Sequence, residues 1–321
     1  MSKISVIIPC HNSFKLMKNV ICSLENQTFR DFEVIVVDDC SDDDSYEKLM
    51  NYKEKSKLEV TVLKNDKNSG PGAARNLAIN YSTSEWLAFC DSDDWYEYDF
   101  LERMIESANK NNADIVMCNY NKVFNNGNKV SVDYTSVFCE SSTKREIIAY
   151  SKSSLCLLLV KRYLFDDLKI PSLFNGEDIA IVPVLLSKAK KIIALTKSLY
   201  CYYIRDDSVS NRPSVRIFDN ILDAYKVIQN LIPNKFSIEK EFLCIKAVLY
   251  GGTLNAFKAG NSIKQIKKEV EKFKIAYPNW IDNPYIKSLG RSKVIYLKCL
   301  WHRIYFLNLL LAKIHYYYTQ R

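Results

Sequence analysis

Trp86-Leu-Ala-Phe-Cys-Asp-Ser-Asp-Asp-Trp95 is the stretch on which the reading of this chain turns. A short apolar run ends in three carboxylates, Asp91, Asp93 and Asp94, and an aromatic closes the segment. Apolar runs of this length between polar residues read as buried strands. The acids then fall at the carboxyl end of the strand, where open α/β sheets place their ligands. On an extended chain alternate residues share a face, so Asp91 and Asp93 point together and Asp94 points away. Two carboxylates on one face repel each other unless a cation joins them. A hard divalent ion such as Mg²⁺ or Mn²⁺ suits oxygen ligands and bridges to substrate phosphates. The alternative is that Asp93 or Asp94 caps a helix starting near Tyr98.

Upstream, Lys3–Pro9 is a β-branched run that reads as the first strand. Cys10-His-Asn-Ser13 follows as a turn and helix cap, and Leu16, Val20, Ile21 and Leu24 have helical spacing. Phe32–Asp39 is a second buried strand ending in paired acids, and Asp42–Ser45 reads as a solvated helix start. Glu59–Leu63 is a third strand. Behind it, Asn65-Asp-Lys-Asn-Ser-Gly-Pro-Gly72 opens a helix in which Arg75, one turn in, suits either a phosphate or a salt bridge. Downstream come a fifth strand at Asp114–Cys118, a hairpin around Asn126-Gly127 and a helix near Lys144–Tyr150. After the apolar run Leu155–Val160, a helix starts with Glu177 and Asp178 in its first turn; short strands follow at Ile192–Leu195 and Leu199–Tyr203. Strands alternating with helices predict a mainly parallel sheet covered on both faces. The acidic clusters and the glycine loop then share one edge, within reach of a single nucleotide-sized ligand. Neither G-x-G-x-x-G nor G-x-x-x-x-G-K-[ST] is present, which counts against dinucleotide and P-loop enzymes.

At 321 residues the chain fits a domain of ~200 residues plus an appendage. Ten cysteines show no C-x-x-C and no zinc spacing, and there are three histidines, which suits a reducing compartment. Met1-Ser-Lys runs straight into a strand, which predicts no secretory leader. The net charge of +8 is concentrated: seven Lys or Arg and no acid lie between Asn283 and Arg321, leaving +1 for the rest. That distribution argues against a nucleic-acid partner.

Together, Ser5-Val-Ile-Ile-Pro-Cys-His-Asn12, Gln27-Thr-Phe, Val36-Val-Asp-Asp-Cys-Ser41 and Asn68-Ser-Gly-Pro-Gly-Ala-Ala-Arg-Asn76 resemble family 2 glycosyltransferases of the GT-A fold. Phe89–Trp95, Gly176-Glu-Asp178 and Tyr203-Ile-Arg-Asp-Asp-Ser-Val-Ser210 extend the resemblance to residues 1–210. It implies an α/β, Rossmann-like, mainly parallel mixed sheet flanked by helices, and a nucleotide-sugar donor, usually with UDP. It places Pro9, His11, Asn12 and Asp39 at the base and ribose, with Asn68, Gly70 and Arg75 at the sugar and diphosphate. Asp91, Ser92 and Asp93 become the DxD motif, with Asp93 the direct ligand of Mn²⁺ or Mg²⁺, and Asp178 the catalytic base. Cys40 departs from the glycine or asparagine usual there, with a modest effect expected on its turn. No Q-x-x-R-W follows Asp178, which speaks against a processive synthase.

The domain expectation is a glycosyltransferase domain over residues 1–213 and a helical C-terminal region over 214–321. Helices are expected at Arg216–Ile232, from Ser237, and after the capping box Ser262-Ile-Lys-Gln265. Val294–Tyr318 is rich in aromatics and leucine but interrupted by Lys298, His302, Arg303, Asn308 and Lys313, which argues against a transmembrane span. It reads as a basic amphipathic helix on an anionic membrane surface, or as a helix packed on protein. The expected activity is inverting transfer of one sugar to a lipid-linked glycan of a bacterial surface polysaccharide, at the cytoplasmic membrane face. The rivals are a sugar nucleotidyltransferase and a non-catalytic nucleotide- or sugar-binding subunit of a membrane assembly.

Overall fold

Near-continuous apolar runs, broken by Ser5 and Glu33, supply the central strands that are buried on both faces. The computed structural model describes residues 2–138, 142–205 and 213–319. β1 (Ile4–Cys10), β2 (Phe32–Asp38), β3 (Val60–Lys64) and β4 (Trp86–Phe89) pair in parallel in the order β3-β2-β1-β4. Ile4, Val6, Ile7 and Ile8 of the central β1 are buried, as are Val34 to Val37 of β2. α1 (Lys18–Glu25), α2 (Ser45–Lys55) and α3 (Pro71–Tyr81) return the chain between these strands. Because all four strands run the same way, the loops after Cys10, Asp38, Lys64 and Phe89 emerge along one edge. The first helix starts later than expected. A 3-10 turn at Phe14–Leu16 precedes it, and Ser13 Oγ donates to Cys10 Sγ instead of capping.

Beyond β4 the sheet changes direction. In chain order the elements are β5 (Trp95–Tyr96), α4 (Phe100–Asn111), β6 (Ile115–Phe124), β7 (Lys129–Val132), α5 (Lys144–Tyr150), β8 (Leu158–Lys161), α6 (Glu177–Lys188) and β9 (Ile192–Ile204). β8 lies antiparallel between β4 and β6, β9 runs parallel to β6, and β5 pairs with β9. The strand expected at Asp114–Cys118 and the first arm of the hairpin are one strand, β6, and the two short strands near residues 192–203 are likewise one, β9. Fusion was hidden by a slip in register. Cys118 pairs with Leu195 and Tyr120 with Tyr200, so two steps along β6 correspond to five along β9. Asn119 fills the gap: its Nδ2 donates to Thr196 O at 2.9 Å, and its Oδ1 accepts from Tyr134 and Thr135 N–H.

The chain divides into Met1–Lys144 with Ser151–Asp206, and Arg145–Tyr150 with Asp207–Arg321. A linear boundary at residue 213 leaves 145–150 in the first part, whereas the structure groups them with the second. The second unit holds α7 (Val215–Leu231), α8 (Ser237–Cys244), a π-helical stretch Ile245–Gly252 leading into α9 (Thr253–Ala259), α10 (Ile263–Ala276), α11 (Arg291–Trp301) and α12 (Tyr305–Thr319). The capping box ahead of α10 does not form: Ser262 makes no side-chain cap bond, and Gln265 reaches Asp219 instead. The tail expected as one helix is two, broken where Arg303 adopts φ 61°. One side of this pair packs inside its unit. Tyr296, Leu297, Leu300, Tyr305 and Ala312 are buried, and Asn308 Nδ2 donates to Tyr296 O. The other side of α12 presents Phe306, Leu310, Ile314 and Tyr317 to solvent. Among the described residues no helix is long and apolar enough to cross a membrane.

Candidate active site

The loops after β1, β2 and β3 are tied to one another before any ligand is considered. Asp39, only 3 % exposed, accepts from Asn65 Nδ2 at 2.6 Å, from Ser69 N–H, and from Gly70 N–H at 2.7 Å. Its carboxylate therefore shapes the glycine loop. Asn12 (φ 52°) binds the next loop, accepting from the N–H groups of Asp42 and Asp43. His11 stays exposed, and its Nε2 is 2.8 Å from Asn68 Nδ2, so these two candidate residues meet at the rim. Pro9, half-buried in β1, lies beside Val37. Cys40 sits at φ 58°, the left-handed conformation that costs an L-residue roughly 1–2 kcal/mol. That geometry is the reason glycine or asparagine suits the position.

The glycines after β3 have a steric role. A Cβ on Gly72 would stand 2.3 Å from Pro171 O, and one on Gly70 (φ 84°) 3.2 Å from Leu173 O. Asn76 then exchanges both amide bonds with the backbone of Ile170, at 2.7 and 2.9 Å. The segment 170–173 is thus clasped to the start of α3, and it leads into Gly176 (φ 97°), Glu177 and Asp178 at the start of α6. This clasp brings Arg75 to the acids of α6.

Arg75 is the hub. It is 2 % exposed, with Nη2 at 2.7 Å from Asp91, Nη1 at 2.9 Å from Glu177, and Nη1 at 3.6 Å from Asp178. Burial opposes its charge, yet Asp178, Asp91 and Glu177 hold its pKa well above the ordinary value. Both terminal nitrogens of the guanidinium are therefore engaged with carboxylates, while the buried Nε has no hydrogen-bond partner. Asp178 Oδ2 accepts from Leu155 N–H at 3.0 Å, while the enclosed Oδ1 has no hydrogen-bond partner. Burial pushes the Asp178 carboxyl up to about 7, with Glu177 and Asp91 adding to the effect and Arg75 opposing it.

β4 ends at Phe89, so the acids lie in a turn, closed by Asp94 N–H on Asp91 O, and not on an extended strand. The alternation argument for Asp91 and Asp93 fails there. Asp93 pairs with Arg205 at 2.7 Å; Asp91 pairs with Arg75, and Ser92 sits half-buried between them. Burial and the neighbouring Asp91 raise the Asp93 carboxyl against the pull of Arg205. Asp94 caps nothing. It is 1 % exposed, accepts from Tyr200 Oη at 2.6 Å and from Tyr203 N–H at 2.7 Å, and α4 starts only at Phe100, behind Asp99. Sequence reasoning missed Tyr200 and the pairing of Arg205; the only available signal was the tyrosine recurrence at 200, 202 and 203. Residues 206–210 of the last motif lie outside the described residues.

Asp91 and Asp93 keep partial exposure, 42 % and 24 % of their side chains, and each is held by one arginine. Among the described residues no cluster of three or more potential ligands forms a protein-only cage. Two carboxylates without a third protein ligand fit a hard cation that takes its remaining oxygens from substrate phosphates and water.

A mixed, mostly parallel sheet flanked by helices, with the loops after β1 to β4 along one edge and the carboxylates Asp91, Asp93 and Asp94 beyond β4, defines a GT-A-type chain. The model for glycosyl transferase family 2 matches residues 5–161. Over 284 residues the chain is 29 % identical to glycosyltransferase GlyA of Streptococcus pneumoniae, covering 84 % of this chain and 40 % of GlyA. It is 33 % identical to the poly(ribitol-phosphate) beta-glucosyltransferase of Bacillus spizizenii, covering 64 % of this chain and 33 % of that protein. The chain thus spans well under half the length of these relatives. The structure of TarS 1-349 from S. aureus, in complex with UDP-GlcNAc, superposes with a TM-score of 0.67 at 22 % identity, covering 98 % and 91 % of the two chains. Residues 5–161 of the chain belong to glycosyl transferase family 2.

Proposed function

We propose that the chain is a metal-dependent, inverting glycosyltransferase. It moves one sugar from a UDP-sugar to a hydroxyl of a lipid-linked glycan in bacterial surface polysaccharide synthesis. The observation that carries the reading is the Arg75 cluster, which joins the DxD acid Asp91 to the acids of α6 and leaves Asp178 Oδ1 without a donor. The relatives support the substrate class, since one is named for glucosyl transfer to poly(ribitol-phosphate) and the similar TarS fragment was crystallised with UDP-GlcNAc.

Each residue type suits its part. Pro9, His11, Asn12, Asp39, Asn68 and Gly70 form the nucleotide side. Arg75 orients Asp91 and Glu177. Asp93 and Asp91 would hold a Mg²⁺ or Mn²⁺, which when bound supplies Lewis-acid neutralisation of a leaving diphosphate. The Asp178 carboxylate takes the proton of the acceptor hydroxyl as the acceptor's oxygen bonds to the anomeric carbon; the bond from that carbon to the phosphate oxygen breaks, UDP leaves and the centre inverts. A carboxyl near neutrality is matched to that task, because it can accept a proton at working pH and release it again.

Calorimetry of UDP binding with and without chelator tests the donor side. The expected result is binding that requires a divalent ion, with the requirement and turnover both lost in Asp93→Ala. Equal affinity in chelator removes the metal. UDP binding without any hydrolysis of a UDP-sugar leaves the non-catalytic subunit. For the membrane, the exposed face of α12 offers Phe306 and Leu310 in a tail whose sequence from Asn283 carries seven Lys or Arg and no acid, although Arg303 is paired with Glu271. Cations near an anionic surface contribute ~1 kcal/mol each. Sedimentation with anionic vesicles should fall in Phe306→Ser/Leu310→Ser and at high salt; a full-length chain that ignores such vesicles at low salt ends the membrane reading.

A further inference from the structure

A cavity of about 160 Å³ opens beside Asp91 and Asp94, walled by Tyr120 of β6, Tyr200 and Tyr202 of β9, and Lys152 ahead of β8. By strand order it lies on the β8-β6-β9 side of β4, whereas the nucleotide loops follow β1, β2 and β3 on the other side. Ser154 and Leu157 also line it, and Leu155 between them donates its N–H to Asp178. The wall of the cavity therefore bears on the carboxylate expected to receive the acceptor's proton.

Its charged groups fall into two kinds. Asp91 is paired with Arg75, and Asp94 is satisfied by Tyr200 Oη and Tyr203 N–H. Lys152 is different. Its Nζ lies 3.4 Å from Tyr120 Oη and 5.6 Å from that ring's centroid, and no carboxylate of the described residues pairs with it. Tyrosine faces with hydroxyl edges suit a sugar ring or polyol, which is apolar on one side and polar at its rim. An ammonium at the same wall without an acid suits an anion. The acids present cannot supply that anion, since their own partners hold them.

We propose that this cavity is the acceptor subsite, and that Lys152 selects an acceptor sugar or polyol carrying an anionic group, a phosphate or a carboxylate. The inference rests on the glycosyltransferase reading, and adds the substrate's charge. A neutral acceptor would meet the same tyrosines but leave Lys152 to water.

The test uses the full chain with saturating UDP and Mg²⁺, so that phosphate-bearing probes cannot report the donor side. Ligand-observed NMR compares glucose, glucose 6-phosphate and glucuronate as probes. The charged probes should bind at least about tenfold more tightly than glucose, as one charge-assisted hydrogen bond allows. Lys152→Ala should erase that preference and Lys152→Arg should retain it; whichever charged probe binds better identifies the anion. Equal binding of glucose and both charged probes, a preference that persists in Lys152→Ala, or no binding of either charged probe overturns the proposal. A loss of UDP affinity in Lys152→Ala overturns it too, by moving the residue to the donor side. Failure of the unmodified chain to bind UDP instead breaks the glycosyltransferase reading itself.

Discussion

The two halves of the first unit's sheet are held together by different kinds of contact. On the β3-β2-β1-β4 side the loops are tied by hydrogen bonds between successive loops about thirty residues apart, as when Asp39 gathers Asn65, Ser69 and Gly70. On the β8-β6-β9-β5 side the same job falls to side chains about a hundred residues apart: Asp94 with Tyr200 and Tyr203, Asp93 with Arg205. Arg75, from the first half, reaches Asp91 and the acids of α6 and so joins them. The first half is held by hydrogen bonds from one loop to the next, and the second by carboxylates that meet tyrosine, arginine and backbone partners far along the chain.

The largest expected effect breaks the chemistry on the far side of that joint. Asp178→Asn keeps shape but cannot take the acceptor's proton, so transfer should fall ~10²–10⁴-fold while UDP still binds. In the unaltered chain, turnover should rise with pH through about 7 and then level, following the carboxyl that burial has pushed up. Stability should move the other way. The unfolded aspartate ionises near ~4, whereas the folded one keeps its proton to about 7, so stability falls as pH rises across that window. Asp178→Asn should flatten that slope in denaturation measured against pH. Near-normal turnover in the variant would move the base, with Glu177 the first candidate.

Next in size is the joint itself. Arg75→Met strands Asp91, Glu177 and Asp178 without their shared cation, and breaking a buried ion pair costs ~3–5 kcal/mol. Urea denaturation at neutral pH should show that loss, and at low pH, where the carboxylates take up protons, the gap should narrow. A loss below ~1 kcal/mol would mean that the halves are not joined there.

The smallest effects contrast two backbone positions within the first half. Gly72→Ala drives a Cβ into Pro171 O and should cost ~1–3 kcal/mol. Cys40→Gly relieves a positive φ and should gain ~1 kcal/mol at most, since the added chain entropy offsets part of it. Midpoints of thermal unfolding should therefore shift in opposite directions. A shift of the same sign would show that one of these sites relaxes elsewhere.

The same contrast governs what could be read from the residues alone. The four parallel strands were legible because each is a mainly apolar run, interrupted only by Ser5, Glu33 or Thr61, whose end is marked by polar residues, as at Asp38-Asp39. The candidate acids were legible because Asp91, Asp93 and Asp178 stand in short motifs. The bond from Asp94 to Tyr203 was not, since no local pattern specifies a partner about a hundred residues away. The fusion of the two short strands into β9 was hidden for the same reason, because the polar interruption at Thr196-Lys197-Ser198 resembles a loop until β6 is laid beside it.

That interruption has a consequence for which side chains reach the cleft. Five residues of β9 are matched to two of β6, an excess of three, which is odd. An odd excess exchanges the two faces of a strand from that point onward. It is what aligns Tyr200 and Tyr202 with Tyr120 on the cavity side, and turns Leu199 and Cys201 to the other. Deleting a single residue from 196–198 would restore even parity. The chain would then offer the cleft leucine and cysteine in place of two phenols, and withdraw the hydroxyl that holds Asp94.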